Sequence, residues 1–152
     1  MTAASVGHAI HNLTNITCLN LGSIRIDDYV LSNCLRYVSL TSLSLRGCEG
    51  LTDQGLVPVV QQCTKLSTLN LKDCPHVGSM TMAAILQRCG WMQHLQIMAR
   101  SLQDETMITI GRSLPQLEYL YLGYVQHIRK ETIDKFREIY PWVRLQTDTV
   151  VR

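Results

Sequence analysis

Six cysteines and five histidines are the side chains of this 152-residue chain best suited to chemistry, and their spacing decides what they can do. Paired thiols could form disulfides, Cys and His together could hold zinc, and a Cys–His dyad could supply a nucleophile and its base. No C-x-x-C pair occurs. Instead Cys48 and Cys74 lie 26 residues apart, and so do Cys63 and Cys89. Thiols that recur in phase read as small buried core groups, each with a weak S–H donor for a carbonyl near the point where the chain leaves a strand. Cys18 and Cys34 fall outside these phases; Cys18 is predicted on an open sheet face and Cys34 on a helix. His8, His11, His76, His94 and His127 are scattered over different phases. His94 and Cys18 are predicted three strands apart, which at about 4.8 Å per strand is too far for proton transfer. There is no G-x-S-x-G, glycine-rich phosphate loop, H-E-x-x-H or pair of carboxylates on a predicted strand. Neither catalysis, nor a metal, nor a cofactor is expected.

The same interval governs the rest of the chain. Leu40-Thr41-Ser42-Leu43-Ser44-Leu45-Arg46-Gly47-Cys48 is repeated in kind by Leu66-Ser67-Thr68-Leu69-Asn70-Leu71-Lys72-Asp73-Cys74. Anchors at Ile16, Leu40, Leu66, Met92, Leu117 and Val143 keep a step of 24 to 26 residues, and each of the first five is followed by two further apolar residues in alternation. Alternation predicts short strands with one buried face. Between them, Leu56, Val59, Val60 and Cys63, and then Met82, Ile85, Leu86 and Cys89, have helical spacing. Neither element can bury its apolar face alone, so the units must stack.

A fixed period with an L-x-x-L-x-L-x-x-C core is similar to a leucine-rich repeat. The stretch Leu40–Cys63, with Leu51-Thr52-Asp53-Gln54-Gly55-Leu56, resembles the cysteine-containing subtype found in the arms of F-box proteins, and the whole chain resembles short leucine-rich-repeat subunits of large assemblies. The strand-end cysteine slot is filled elsewhere by Ile24, Arg100 and Val125. The resemblance implies an α/β solenoid of about five strand–helix repeats, with a parallel concave sheet and helices on the convex side. It implies one domain over residues 1–152, with a partial first repeat at 1–15 and a C-terminal cap at 140–152. It also implies a non-catalytic protein-interaction role, as a structural or accessory subunit of a mitochondrial or ciliary type of assembly. The alternative is the substrate-recognition arm of an F-box-type ubiquitin ligase.

Side chains alternating with the buried leucines should point into the concave face. Arg46, Asn70, Lys72, His94, Gln96, Met98, Tyr119, Tyr121 and Tyr124 are the candidate partner-binding residues, because tyrosine, methionine and arginine are enriched at protein interfaces. Removing Tyr119 and Tyr121 together is expected to leave folding nearly intact. The helical half-repeat at residues 3–13 should leave an apolar end for another chain or region to cover. At the other end Gln146 and Asp148 fall on leucine slots, so the array should stop there, with Trp142 as a lid. Pro58 is expected in a helix's first turn, starting that helix at or just after Gly55. Thr52-Asp53 reads as a cap.

Composition narrows the partners. A net charge of +2 with dispersed Lys and Arg gives no basic stripe for nucleic acid. No apolar run reaches the roughly 18 residues of a membrane span. Free thiols without a secretory signal point to an intracellular, reducing compartment, leaving cytoplasm, cilium and mitochondrion open.

Overall fold

Each apolar anchor opens a strand, and each amphipathic segment becomes a helix. The structure, a computed structural model, describes residues 5, 8, 15–35 and 39–148. In chain order it contains β1 (Cys18–Asn20), α1 (Asp28–Cys34), β2 (Ser42–Ser44), α2 (Asp53–Gln62), β3 (Thr68–Asn70), α3 (Ser79–Arg88), β4 (His94–Met98), α4 (Asp104–Ser113), β5 (Tyr119–Gly123), α5 (Lys130–Ile139) and β6 (Arg144–Thr147). The strands form one parallel sheet in the order β1-β2-β3-β4-β5-β6. Each strand therefore pairs with its sequence neighbours across an intervening helix, a solenoid-like α/β arrangement. Leu43, Leu69, Leu95 and Leu120 are opposite one another in register and fully buried. They belong to a single core cluster that runs from Leu21 to Val143. Of the predicted half-repeat at residues 3–13, only Ser5 and His8 are among the described residues.

The cysteines take the structural role expected of them. Cys48 Sγ donates to the Leu21 carbonyl at 3.3 Å and Cys74 Sγ to the Leu45 carbonyl at 3.1 Å, each bond linking one strand exit to the preceding strand. Burial pushes the Cys74 thiol up to about 11 and Cys89 up to about 12, so both stay protonated and unreactive at neutral pH. Cys18 is exposed and Cys34 half-buried.

Three expectations are corrected. Ala99, not Arg100, occupies the strand-end slot. The Leu102 N–H bonds to its carbonyl as the Leu51 N–H bonds to Cys48 and the Val77 N–H to Cys74, and Arg100 is exposed. The exit from β4 is one residue shorter because it lacks the left-handed residue found at the other exits, Ser23, Gly47, Asp73 and Tyr124. Second, Gln146 does not fall on a leucine slot, and a sixth strand carries the sheet to Thr147. Tyr140 caps α5 and β6 starts four residues later, whereas five separate Leu114 from the start of β5. That one-residue slip puts Leu145 and Thr147 opposite Leu120 and Leu122 and turns Gln146 to the open face, because side chains alternate along a strand. Tyr140, 8% exposed and tilted by 48° against Phe136 with ring centroids 5.0 Å apart, closes the core at this end, and Trp142, 61% exposed, meets it only edge-on. Third, α2 starts at Asp53, so Pro58 lies inside it. The hydrogen bond that proline forfeits would run to the Gln54 carbonyl. Both residues are exposed, so water can serve that carbonyl.

Thr52 caps its own helix, accepting from the Gln54 N–H at 3.1 Å. Asp53, in contrast, caps the next one: its carboxylate accepts from the Gly78 N–H at 2.8 Å, the Thr81 hydroxyl at 2.6 Å and the Thr81 and Met80 N–H groups. Asp28 does the same for α2 through the Thr52 N–H and hydroxyl, and Asp104 for α5 through the Arg129 N–H and guanidinium. All three are the first residues of their own helices, so a carboxylate ladder ties one helix start to the next. Ser79 holds that place in α3. It is shorter and makes no such bond, α4 has Gln103 as its N-cap residue with no side-chain cap bond, and a surface groove of about 330 Å³ opens between α3 and α4.

Burial alone would raise the Asp53 pKa, but hydrogen bonds from the Thr81 hydroxyl and three backbone N–H groups outweigh it and hold the carboxyl below its ordinary value. A folded pKa below the unfolded one means that the stabilisation is present above about pH 4 and is lost as pH falls through the folded value. Asp53→Asn is expected to lower stability by about 1 kcal/mol at pH 7 and to flatten the acid side of a melting-temperature profile. An acid limb as steep as that of the parent protein would disprove the assignment.

Candidate interaction surface

Polar and aromatic residues alternate with the buried leucines in β2 to β5, so the pleat places them together on the sheet face opposite the core. Register stacks Ser42, Thr68, His94 and Tyr119 in one row and Ser44, Asn70, Gln96 and Tyr121 in the next. All nine predicted residues lie on this face or at its edge where the strands exit.

The face is organised by contacts between its own side chains. Arg46 Nε lies 3.3 Å from Asp73 Oδ2. Lys72 Nζ sits 4.3 Å above the centre of the Tyr121 ring, and the Arg100 guanidinium 4.0 Å from that of Tyr124, both in cation–π range. The His94 and Tyr119 rings are 6.4 Å apart, tilted by 42°. Tyr119 donates its hydroxyl to Gln146 Oε1 at 2.9 Å, and the Tyr124 N–H donates to Asp148 at 2.8 Å. Asn70 Oδ1 accepts from the Lys72 N–H at 3.0 Å and so fixes the strand exit rather than reaching outward.

Two of the nine are covered. Tyr121 and Met98 are each only 5% exposed, Tyr121 with Lys72 over its ring and Met98 accepting the Asp73 N–H on its sulfur at 3.3 Å. Truncating Tyr121 therefore opens a cavity, contrary to the expectation that it is dispensable for folding. Tyr124, 41% exposed, and the half-buried His94, Gln96 and Tyr119 remain presented.

Sequence reasoning missed Asp73, Arg100, Gln146 and Asp148. Asp73 had a signal, since it stands where Gly47 stands one repeat earlier, at a strand exit beside a basic residue. Arg100 and Gln146 were hidden by the one-residue shifts in spacing. The ensemble offers hydrogen-bond donors, aromatic faces and cations to a surface laid across it. Among the described residues no three His, Cys, Asp or Glu side chains come together as a metal site would need, and no helix is long and apolar enough to cross a membrane. No protein-family model matches the chain.

Proposed function

We propose that this chain is a non-catalytic protein-interaction module of the leucine-rich-repeat type, a structural or accessory subunit of a larger protein assembly that binds a protein partner across the open face of its sheet. The observation that carries this reading is the set of partly exposed aromatic, amide and cationic side chains held in place across β2 to β6 by Arg46–Asp73, Lys72–Tyr121, Arg100–Tyr124 and Tyr119–Gln146. Side chains already fixed in the free protein lose little conformational freedom on binding, which favours affinity. Tyrosine and arginine are also the residues that most often dominate binding energy. Six free cysteines, four of them buried, suit a reducing compartment inside the cell.

The test is affinity capture of the tagged full-length chain from its own cells, beside a Tyr119→Ala, Tyr124→Ala variant. Both positions have exposed surface, so the variant should melt within about 1 kcal/mol of the parent protein. Capture should fall about tenfold or more, as expected for losing two aromatic anchors of an interface. Undiminished capture would return the tyrosines to a merely solvated sheet. The proteins retained distinguish the two roles: one stoichiometric complex supports the subunit reading, whereas a cullin adaptor with ligase components would replace it by the substrate-arm reading.

A further inference from the structure

We propose that the edge formed by the helix-to-strand loops docks on an anionic lipid bilayer, with Trp91 and Trp142 entering the headgroup region. This edge adjoins the open sheet face, where Arg144 stands opposite Tyr119, but does not depend on that face's role.

Trp91 and Trp142 occupy the same place in their units, one residue before the buried anchors Met92 and Val143 in the α3–β4 and α5–β6 loops. They are 66% and 61% exposed, whereas the apolar residues that follow them are buried. β4 and β6 are separated by one strand, so the loops that carry the tryptophans emerge about 10 Å apart on one edge. Pro115 and Gln116 lie between them, and Ile139, 42% exposed, adjoins Trp142 at the end of α5. Trp142 keeps one ring edge against Tyr140, at 5.6 Å and 90°, which orients it without covering it.

Charge differs between the two edges. The first helical turns and their caps carry Asp27, Asp28, Asp53, Asp104, Glu105 and Glu131 against Arg129 and Lys130, and the strand exits beside them add Glu49 and Asp73 against Arg25, Arg46, Lys72 and Arg100, so this edge is mixed with a slight acidic excess. The tryptophan edge carries exposed Lys65, Arg88, Arg112, Arg137 and Arg144 against Glu118 and Glu138, with Arg137 within 3.5 Å of Asp134. Helix dipoles account for Arg88, Arg112 and Arg137 in last turns. They do not account for Lys65 in a loop, Arg144 at the start of β6, or two exposed indoles at the same level. A bilayer does. Indole has an apolar body and one N–H donor, both satisfied at the headgroup boundary, and cations beside it gain from anionic lipid. A bilayer also needs no matching pockets for two rings on separate loops. With the positive edge toward the lipid, the mixed edge faces away from it.

The test uses the full-length chain with vesicles of phosphatidylcholine alone or with one-quarter phosphatidylserine. The chain has two tryptophans, so its indole fluorescence reports on this edge alone. A blue shift, quenching by lipids brominated in the upper acyl chain, and co-flotation are expected with phosphatidylserine, all reduced by high salt. Trp91→Ser with Trp142→Ser should weaken co-flotation about tenfold or more, and Lys65→Glu with Arg144→Glu should remove the preference for anionic lipid. Circular dichroism melts confirm that both variants fold. No flotation, or flotation undiminished in the folded tryptophan variant, overturns the proposal. So does a tryptophan variant that loses captured proteins while the parent chain ignores vesicles, since the edge would then be a protein interface.

Discussion

Leu69→Ala is expected to unfold the array under conditions in which the parent protein is fully folded. Leu69 is 0% exposed at the centre of β3, with Leu43 and Leu95 on either side in register. Removing a buried leucine side chain loses its transfer free energy and leaves a cavity, together about 2 to 5 kcal/mol. A domain of this size has about 5 to 15 kcal/mol in total. Each unit of a stacked array depends on its neighbours, so damage at the centre weakens the contacts of both halves. A denaturant melt followed by circular dichroism measures the loss. A change below about 1 kcal/mol would mean that Leu69 is not where the fold places it.

A single added methyl should do comparable harm at Gly55. Gly→Ala inside a helix ordinarily stabilises by about 0.5 to 1 kcal/mol, because glycine has more chain entropy to lose. Here the sign reverses. A Cβ on Gly55 would stand 2.7 Å from the Asp28 Cα and 2.9 Å from its Cβ, and a backbone atom in a packed helix cannot step aside as a flexible side chain can. Moving Asp28 also disturbs its bonds to the Thr52 N–H and hydroxyl. The overpacking is expected to cost about 2 to 3 kcal/mol. Gly90→Ala is the control, since nothing lies within 4 Å of the added carbon. A Gly55→Ala variant that melts at or above the parent temperature would show that α1 and α2 can separate without cost.

Much of this was legible because periodicity and burial are linked. Alternating leucines after each anchor marked the strands, and helical spacing after each strand exit marked the helices. What escaped was anything that depends on a single residue of spacing. The short exit from β4 exchanged Ala99 for Arg100, and the short α5–β6 loop exchanged Leu145 for Gln146 on the covered face. Pro58 was read from local backbone preference, which the packing of α2 overrides. The stretch Leu51-Thr52-Asp53-Gln54-Gly55-Leu56 was recognisable as a motif, but not as three separate contacts: Thr52 within α2, Asp53 forward to α3, and Gly55 back to α1. Surface residues were assigned to the correct face, while their exposure was not legible. Whether Tyr121 is bare or covered depends on where Lys72, reaching from the exit of β3 past β4, comes to rest.

The carboxylate ladder gives the chain a direction that its sheet lacks. Because Asp28 secures the start of α2 and Asp53 the start of α3, the segment that encodes a helix is not the segment that completes it. A unit cut out, duplicated or grafted from one strand to the next would leave its clasp behind in its predecessor and bring one intended for its successor. The heritable module of such an array is therefore offset from the visible one, running from the start of one helix to the start of the next. Among the described helix boundaries, the one at Ser79 lacks that obligation, which makes the α3–α4 boundary the place where this part of the array could be divided or extended with the least loss.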